Sequence, residues 1–266
     1  MNHPYLPLTE SHRRSMLEKI GLSSFEELLK DIPQELRLNR PLELPPALTE
    51  IELRREFETL FASQPAPSLS FLGAGSYQHF IPALVDNLAG RSEFYTAYTP
   101  YQPEISQGML QAIFEYQTLI ARLFDLPIAN ASLYDGPTAL AEAVLMVAKE
   151  TKKHRFLIPG LLSPHLKRVL ETYTKPWNIE LAALPEDNGQ IEVSALENCL
   201  NGSEAALIIQ NPNYFGIIEN MPELIKAAKS RHLLVICYVH PLLMGIVESP
   251  GALGAEATAL GNAGID

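Results

Sequence analysis

Apolar residues change rhythm along this chain, and each rhythm predicts a different kind of structure. In the first 66 residues they form short helical groups separated by prolines. Thr9 caps a helix running to about Lys19. Ser24 precedes FEELLKDI, in which Phe25, Leu28, Leu29 and Ile32 follow helical spacing until Pro33 ends it. Thr49 and Glu52 form a capping-box pattern ahead of a helix to about Ala62. The proline-bearing stretch 38–46 reads as an extended connector. With no strand signal and little core of its own, 1–66 is expected to be a helical arm that packs on something else.

From residue 67 a loop-rich stretch runs through Gly73, Gly75, Pro82, Gly90, Pro100 and Pro103. A long helical pattern follows over 106–124, and a second helix starts at Pro137 and runs to about Glu150. The second is apolar around most of its circumference and should be buried on several sides. Strands and helices then alternate: strand 156–159, helix 163–173, strand 178–184, helix 193–200, strand 205–210, helix 221–231 and strand 232–239. Continuous apolar strands between helices predict an α/β domain, a parallel sheet covered by helices on both faces.

Composition narrows the field. The chain has 266 residues, of which 47% are hydrophobic and 19% charged, which excludes a disordered chain and supplies a core. A net charge of −11 without a basic block argues against nucleic acid and anionic lipid as partners. No apolar run reaches the ~18–20 residues of a membrane span, and the N-terminus lacks a signal-peptide stretch. Cys199 and Cys237 are far apart and form no CxxC pair, so no metal site is expected and the thiols read as reduced core residues of a cytoplasmic protein.

Candidate chemistry gathers in a few places. In YTAYTPYQPE, Tyr95, Tyr98 and Tyr101 recur every three residues around Pro100 and Pro103, with Gln102 and Glu104 beside them. Prolines restrict the backbone and phenols can hydrogen-bond a small carboxylate, so this segment is either a binding loop or a rigid surface packed on another subunit. Glu104 alternatively caps the helix beginning near Ser106. Gly136, Pro137 and Thr138 open a helix where backbone N–H groups can meet an anion, although Pro137 removes one donor. Gly73-Ala74-Gly75 is read as a turn, since no strand and helix frame it as a dinucleotide loop requires.

Three segments carry a family resemblance: FLGAGSYQHFIP at 71–82; YTAYTPYQPEISQG through ANASLYDG at 95–136, continued by TALAEA at 138–143; and IIQNPNYFGIIEN at 208–220. In order and spacing they resemble the N-terminal half of the glycine decarboxylase P protein. More closely, they resemble the alpha subunit (subunit 1) of bacteria that split this enzyme into two chains. The resemblance implies the fold type I pyridoxal-phosphate-dependent transferase (aspartate aminotransferase-like) large domain, here over 67–266. It implies an enzyme subunit of the glycine cleavage system, inactive alone. Its partners would be a beta subunit carrying pyridoxal phosphate and a lipoyl-bearing H protein that receives the aminomethyl group of decarboxylated glycine. It also places Tyr95, Tyr98, Tyr101, Gln102 and Glu104 at an alpha–beta interface that holds the active site.

The same resemblance exposes departures. The nine lysines (19, 30, 149, 152, 153, 167, 175, 226 and 229) all fall on predicted helices or polar connectors, so no Schiff-base lysine and no covalently bound cofactor is expected here. The family's aspartate-proline pair after the last strand is His240-Pro241, and a neutral imidazole does not hold a pyridinium proton as a carboxylate does. The closing GALGAEATALGNAGID looks unlike the family's next strand, which makes the large domain incomplete and a truncated chain the expectation. A non-catalytic stabilising subunit and a remnant without activity are the competing readings.

Overall fold

A computed structural model describes residues 8–64, 69 and 79–260, and the chain divides into two compact units, Met1–Ser68 and Leu69–Asp266. In the first unit, α1 (Glu10–Lys19) is capped by Thr9, whose hydroxyl accepts the His12 N–H at 3.3 Å. Helix α2 (Glu50–Ala62) has the full capping box: Thr49 Oγ1 accepts the Glu52 N–H, and Glu52 Oε2 accepts the Thr49 N–H at 2.8 Å. The segment expected to be an α-helix after Ser24 is instead a 3-10 turn, Phe25–Leu29, followed by another at Gln34–Leu36. The cause is local. Glu27 turns its carboxylate back to the backbone N–H and hydroxyl of Ser23, and the Arg37 guanidinium takes the carbonyls of Leu29 and Ile32. These side chains occupy groups through which a longer helix would grow. No residue of these four elements is buried, in keeping with so little core.

The second unit opens with two short helices inside the stretch read as loop, α3 (Ala83–Ala89) and α4 (Ser92–Tyr95). Pro82 and Gly90 frame α3 so closely that its seven residues show no helical period. Helices α5 (Gln107–Leu123) and α6 (Gly136–Thr151) follow as expected. The alternating region comprises β1 (Arg155–Pro159), α7 (Pro164–Thr174), β2 (Glu180–Leu184), the hairpin strands β3 (Glu186–Asp187) and β4 (Gln190–Ile191), and α8 (Val193–Cys199). It continues with β5 (Glu204–Asn211), α9 (Met221–Ser230), β6 (Leu234–Val239) and β7 (Ala257–Leu260).

Strands β2-β1-β5-β6-β7 form one five-stranded, wholly parallel sheet in that order. Successive strand residues serve opposite faces. Phe156, Ile158, Ala206, Ile208 and Ile236 pack with Leu140, Val144, Leu166 and Leu170 of α6 and α7. Leu157, Leu207, Ile209, Val235 and Val239 pack with Leu196, Leu224 and Ile225 of α8 and α9. This two-sided burial explains why the strands read as unbroken apolar runs. Cys237 lies fully buried in β6, its thiol pushed up to about 12 by burial and then by the charge of Glu256.

Strand β7 corrects the reading of the closing residues. Residues 257–260 pair in parallel with Ile236–Val239, so β6 is an interior strand. Glu256 sets this register: its Oε2 accepts the Val235 N–H at 2.8 Å and its Oε1 takes Lys229 Nζ at 3.2 Å.

Candidate functional site at the C-terminal edge of the sheet

The chain runs outward from β1 to β2 and then returns across β1 to β5, so the direction of winding reverses between β1 and β5. In open α/β sheets the crevice at such a reversal, beyond the strand C-termini, is where ligands bind. Here side chains bond to the loop that follows β1. Gln210 accepts the Ser163 N–H at 3.2 Å, and Glu186 Oε1 accepts the Leu161 N–H at 2.7 Å. Gly160 lies so close to β2 that a Cβ would sit 2.6 Å from the Leu184 carbonyl oxygen.

The loop 211–220 is built on three buried polar residues, Asn211, Asn213 and Glu219. Asn211 Oδ1 accepts the Glu219 N–H. Asn213 donates to the Gly189 carbonyl at 2.6 Å and to Glu219 Oε1 at 2.7 Å, and its Oδ1 accepts the N–H groups of Phe215 and Ile217. Glu219 Oε2 closes the network on the Ile191 N–H. The loop therefore presents Phe215 to solvent from a fixed base. Nearby, burial and then the charge of Glu219 push the Glu186 carboxyl above the usual range, opposed by the Leu161 N–H, while its Oε2 is buried without a partner among the described residues. These residues drew no functional reading from the sequence. The available signal was polar side chains at a strand end opposite the Asn188-Gly189 turn.

Three positions test whether this chain fits pyridoxal phosphate, and none does. No lysine stands in the loops after β1, β2, β5 or β6. Lys153 and Lys229 are instead engaged where β5 and β7 begin, donating to the carbonyls of Glu204 and Gly254 at 2.8 Å. His240, after β6, uses Nδ1 to accept the Leu242 N–H at 3.3 Å, so its neutral ring carries the proton on Nε2. A donor there repels a protonated pyridine nitrogen. At the start of α6, Asp135 accepts the Thr138 N–H at 2.7 Å and also the Thr138 hydroxyl. The end of the helix that could cradle a phosphate already carries an internal carboxylate, which repels one. The Gly73-Ala74-Gly75 turn lies outside the described residues.

The tyrosine segment is open to solvent. Tyr95 ends α4, and Tyr95, Tyr98 and Tyr101 are 82%, 82% and 78% exposed. Tyr98 and Tyr101 meet edge to face, 6.3 Å between ring centres. The Gln102 carbonyl accepts the N–H groups of Ile105 and Ser106, turning the chain into α5. Glu104 does not cap that helix with its carboxylate; its backbone carbonyl accepts from Gln107 Nε2. Tyr134, beside Asp135, is fully exposed as well.

Comparison with known proteins gives these features a family. A profile described as Glycine cleavage system P-protein matches residues 3–264. The probable glycine dehydrogenase (decarboxylating) subunit 1 of Listeria welshimeri is 44% identical over 256 residues, 96% of this chain and 57% of that protein. The protein of the same name from Bacillus pumilus is 45% identical over 258 residues, 96% of this chain and 58% of that one. A crystal structure of glycine decarboxylase (P-protein) of the glycine cleavage system, in inhibitor-bound form, matches with a TM-score of 0.72 at 40% identity. That match covers 95% of this chain and 57% of the other. SspA in complex with cysteine, at 13% identity and a TM-score of 0.57, shares the fold alone. The architecture is that of fold type I pyridoxal-phosphate-dependent enzymes, as expected. The chain spans somewhat over half the length of the relatives it matches. Within that span the likeness extends across nearly all its residues, and the chain belongs to the glycine cleavage system P-protein family.

Proposed function

We propose that this chain is the alpha-type subunit of a two-chain glycine decarboxylase. A beta subunit carries pyridoxal phosphate and decarboxylates glycine, and the aminomethyl group passes to the lipoyl group of an H protein. The observation that carries this reading is the likeness, across nearly the whole chain, to proteins named glycine dehydrogenase (decarboxylating) subunit 1; in keeping with it, the loops after β1, β2, β5 and β6 hold no lysine. Cleaving the bond to the glycine carboxylate is the cofactor's chemistry and belongs to the partner's site. What this chain supplies is a rim. Tyr95, Tyr98 and Tyr101, with Gln102 and Glu104, cover the partner's site, orient a small carboxylate through phenol hydroxyls and exclude water with their rings. Two unbridged cysteines and an acidic surface suit a cytoplasmic assembly with no nucleic acid or membrane partner. Among the described residues no helix is long and apolar enough to cross a membrane.

Reconstitution with the beta subunit of a split enzyme and a lipoylated H protein tests the reading through glycine-dependent exchange of labelled CO2. Activity is expected from the mixture and from neither chain alone. Turnover by the isolated chain, or a beta subunit equally active without it, overturns the proposal. Tyr98→Phe then tests the rim. A hydrogen bond to a charged group contributes ~1.5–3 kcal/mol, so turnover should fall roughly tenfold or more. Assembly and thermal stability should not change, because the side chain is exposed. Unchanged turnover in both Tyr98→Phe and Tyr101→Phe would leave the segment as packing.

A further inference from the structure

Two histidines meet at the C-terminal end of β6. The rings of His79 and His240 lie 4.8 Å apart, centre to centre, inclined by 36°. His240 is fixed at several points. Its backbone N–H donates to the Asn211 carbonyl at the end of β5, its carbonyl accepts the Leu243 N–H, and its Nδ1 caps the turn Pro241–Gly245 through Leu242. The proton this leaves on Nε2 is buried and has no acceptor among the described residues. His79 belongs to the chain that continues through Phe80 and Pro82 into α3, α4 and the tyrosine segment.

Adding a proton to His240 disrupts this arrangement in three ways. The proton must go on Nδ1, where it faces the Leu242 N–H donor and breaks the cap. The charge forms in a partly buried ring whose other nitrogen has nothing to donate to. It also forms against a second imidazole. We propose that the contacting His79–His240 pair is an acid-opened catch: neutral, it holds the start of segment 79–101 on the C-terminal edge of the sheet, and protonated, it releases that segment and the turn 241–245. Burial and then His79 keep His240 below its ordinary value of 6.5, and His79 is the titratable group whose field reaches it; β5 and the 241–245 turn contribute backbone groups. A depressed pKa gives stability that is present above the unfolded value and is lost as pH falls through the folded one. The catch is therefore closed at neutral pH and opens as the pH falls through a midpoint below 6.5. This stands on the geometry of the chain alone and is independent of the reaction proposed above.

The test uses the full chain with 15N-labelled histidine. Long-range 1H–15N spectra between pH 5 and 8 should show His240 as the Nε2–H tautomer with a midpoint below 6.5. Hydrogen exchange, corrected for the intrinsic effect of pH, should become at least tenfold faster in acid for peptides covering 79–95 and 240–247. His240→Asn keeps an N-cap acceptor without a titrating ring, and its exchange should be flat with pH. In His79→Gln the His240 midpoint should rise towards 6.5. An Nδ1–H tautomer, a midpoint at or above 6.5, or one pH profile shared by the wild type and both variants overturns the proposal. If a variant fails to fold, the wild-type tautomer and midpoint decide the matter.

Discussion

Glu204, where β5 begins, and Glu186, in the hairpin beyond the end of β2, are carboxylates with opposite dependence on pH. Burial pushes Glu204 up, but the N–H groups of Asn201 and Gly202 and the guanidinium of Arg155 outweigh it and leave the group below the usual range. Its contribution is present above the unfolded pKa and lost as pH falls through the folded one. Glu186 receives one N–H and faces another carboxylate, so its raised pKa favours the fold below the unfolded value and the benefit fades as pH rises through the folded one. Glu204→Gln should therefore destabilise the chain by about 3 kcal/mol at neutral pH, because the Arg155 charge loses its buried partner. Glu186→Gln should raise the melting temperature at pH 7, since the amide oxygen still accepts the Leu161 N–H and no ionised oxygen stays buried. Thermal unfolding of both variants from pH 4 to 8 should show the two differences shrinking towards acid pH.

At the scale of elements, strands β1, β2, β5 and β6 and their covering helices were legible in the sequence because burial on both faces leaves unbroken apolar strands between amphipathic helices, while β7 was not. The pieces that were not legible are those set by side chains or by length. The 3-10 turn at Phe25–Leu29 follows from Glu27 and Arg37, helix α3 is too short to show a period, and β3–β4 has only two residues per strand. The hairpin did carry a signal, since Asn188-Gly189 suits a turn in which both residues take positive φ, here +50° and +79°. Gly189→Ala should cost about 1 kcal/mol, as its φ is left-handed and a Cβ would meet Ile217 Cδ1 at 3.0 Å. Asn213→Ala is the more damaging change: it removes the acceptor for two backbone N–H groups and a donor to buried Glu219. A loss of about 2–4 kcal/mol in urea unfolding is expected. The tyrosine segment was legible from the three-residue spacing of Tyr95, Tyr98 and Tyr101 and from the family resemblance, whereas the polar network under loop 211–220 was not, because it links residues distant in sequence.

For the whole molecule, the lysine-free strand ends and the Asp135 cap predict how the chain meets pyridoxal phosphate. Borohydride reduction after incubation should scatter a low level of label over exposed lysines, and peptide mass mapping should find none modified stoichiometrically. One fully labelled lysine would place the cofactor's anchor in this chain after all. The position of Cys237 has a different consequence. Its sulfur sits on β6, an interior strand of a sheet covered on both faces, and a thiol held near 12 is scarcely ionised at neutral pH. Alkylation there must wait for β6 to come apart from its neighbours, while the partly exposed Cys199 gives an internal reference in the same tube. The ratio of the two labelling rates makes the chain its own gauge of core opening. It should fall when a partner subunit binds and rise in any variant that loosens the sheet, with no probe introduced and no residue changed to read it.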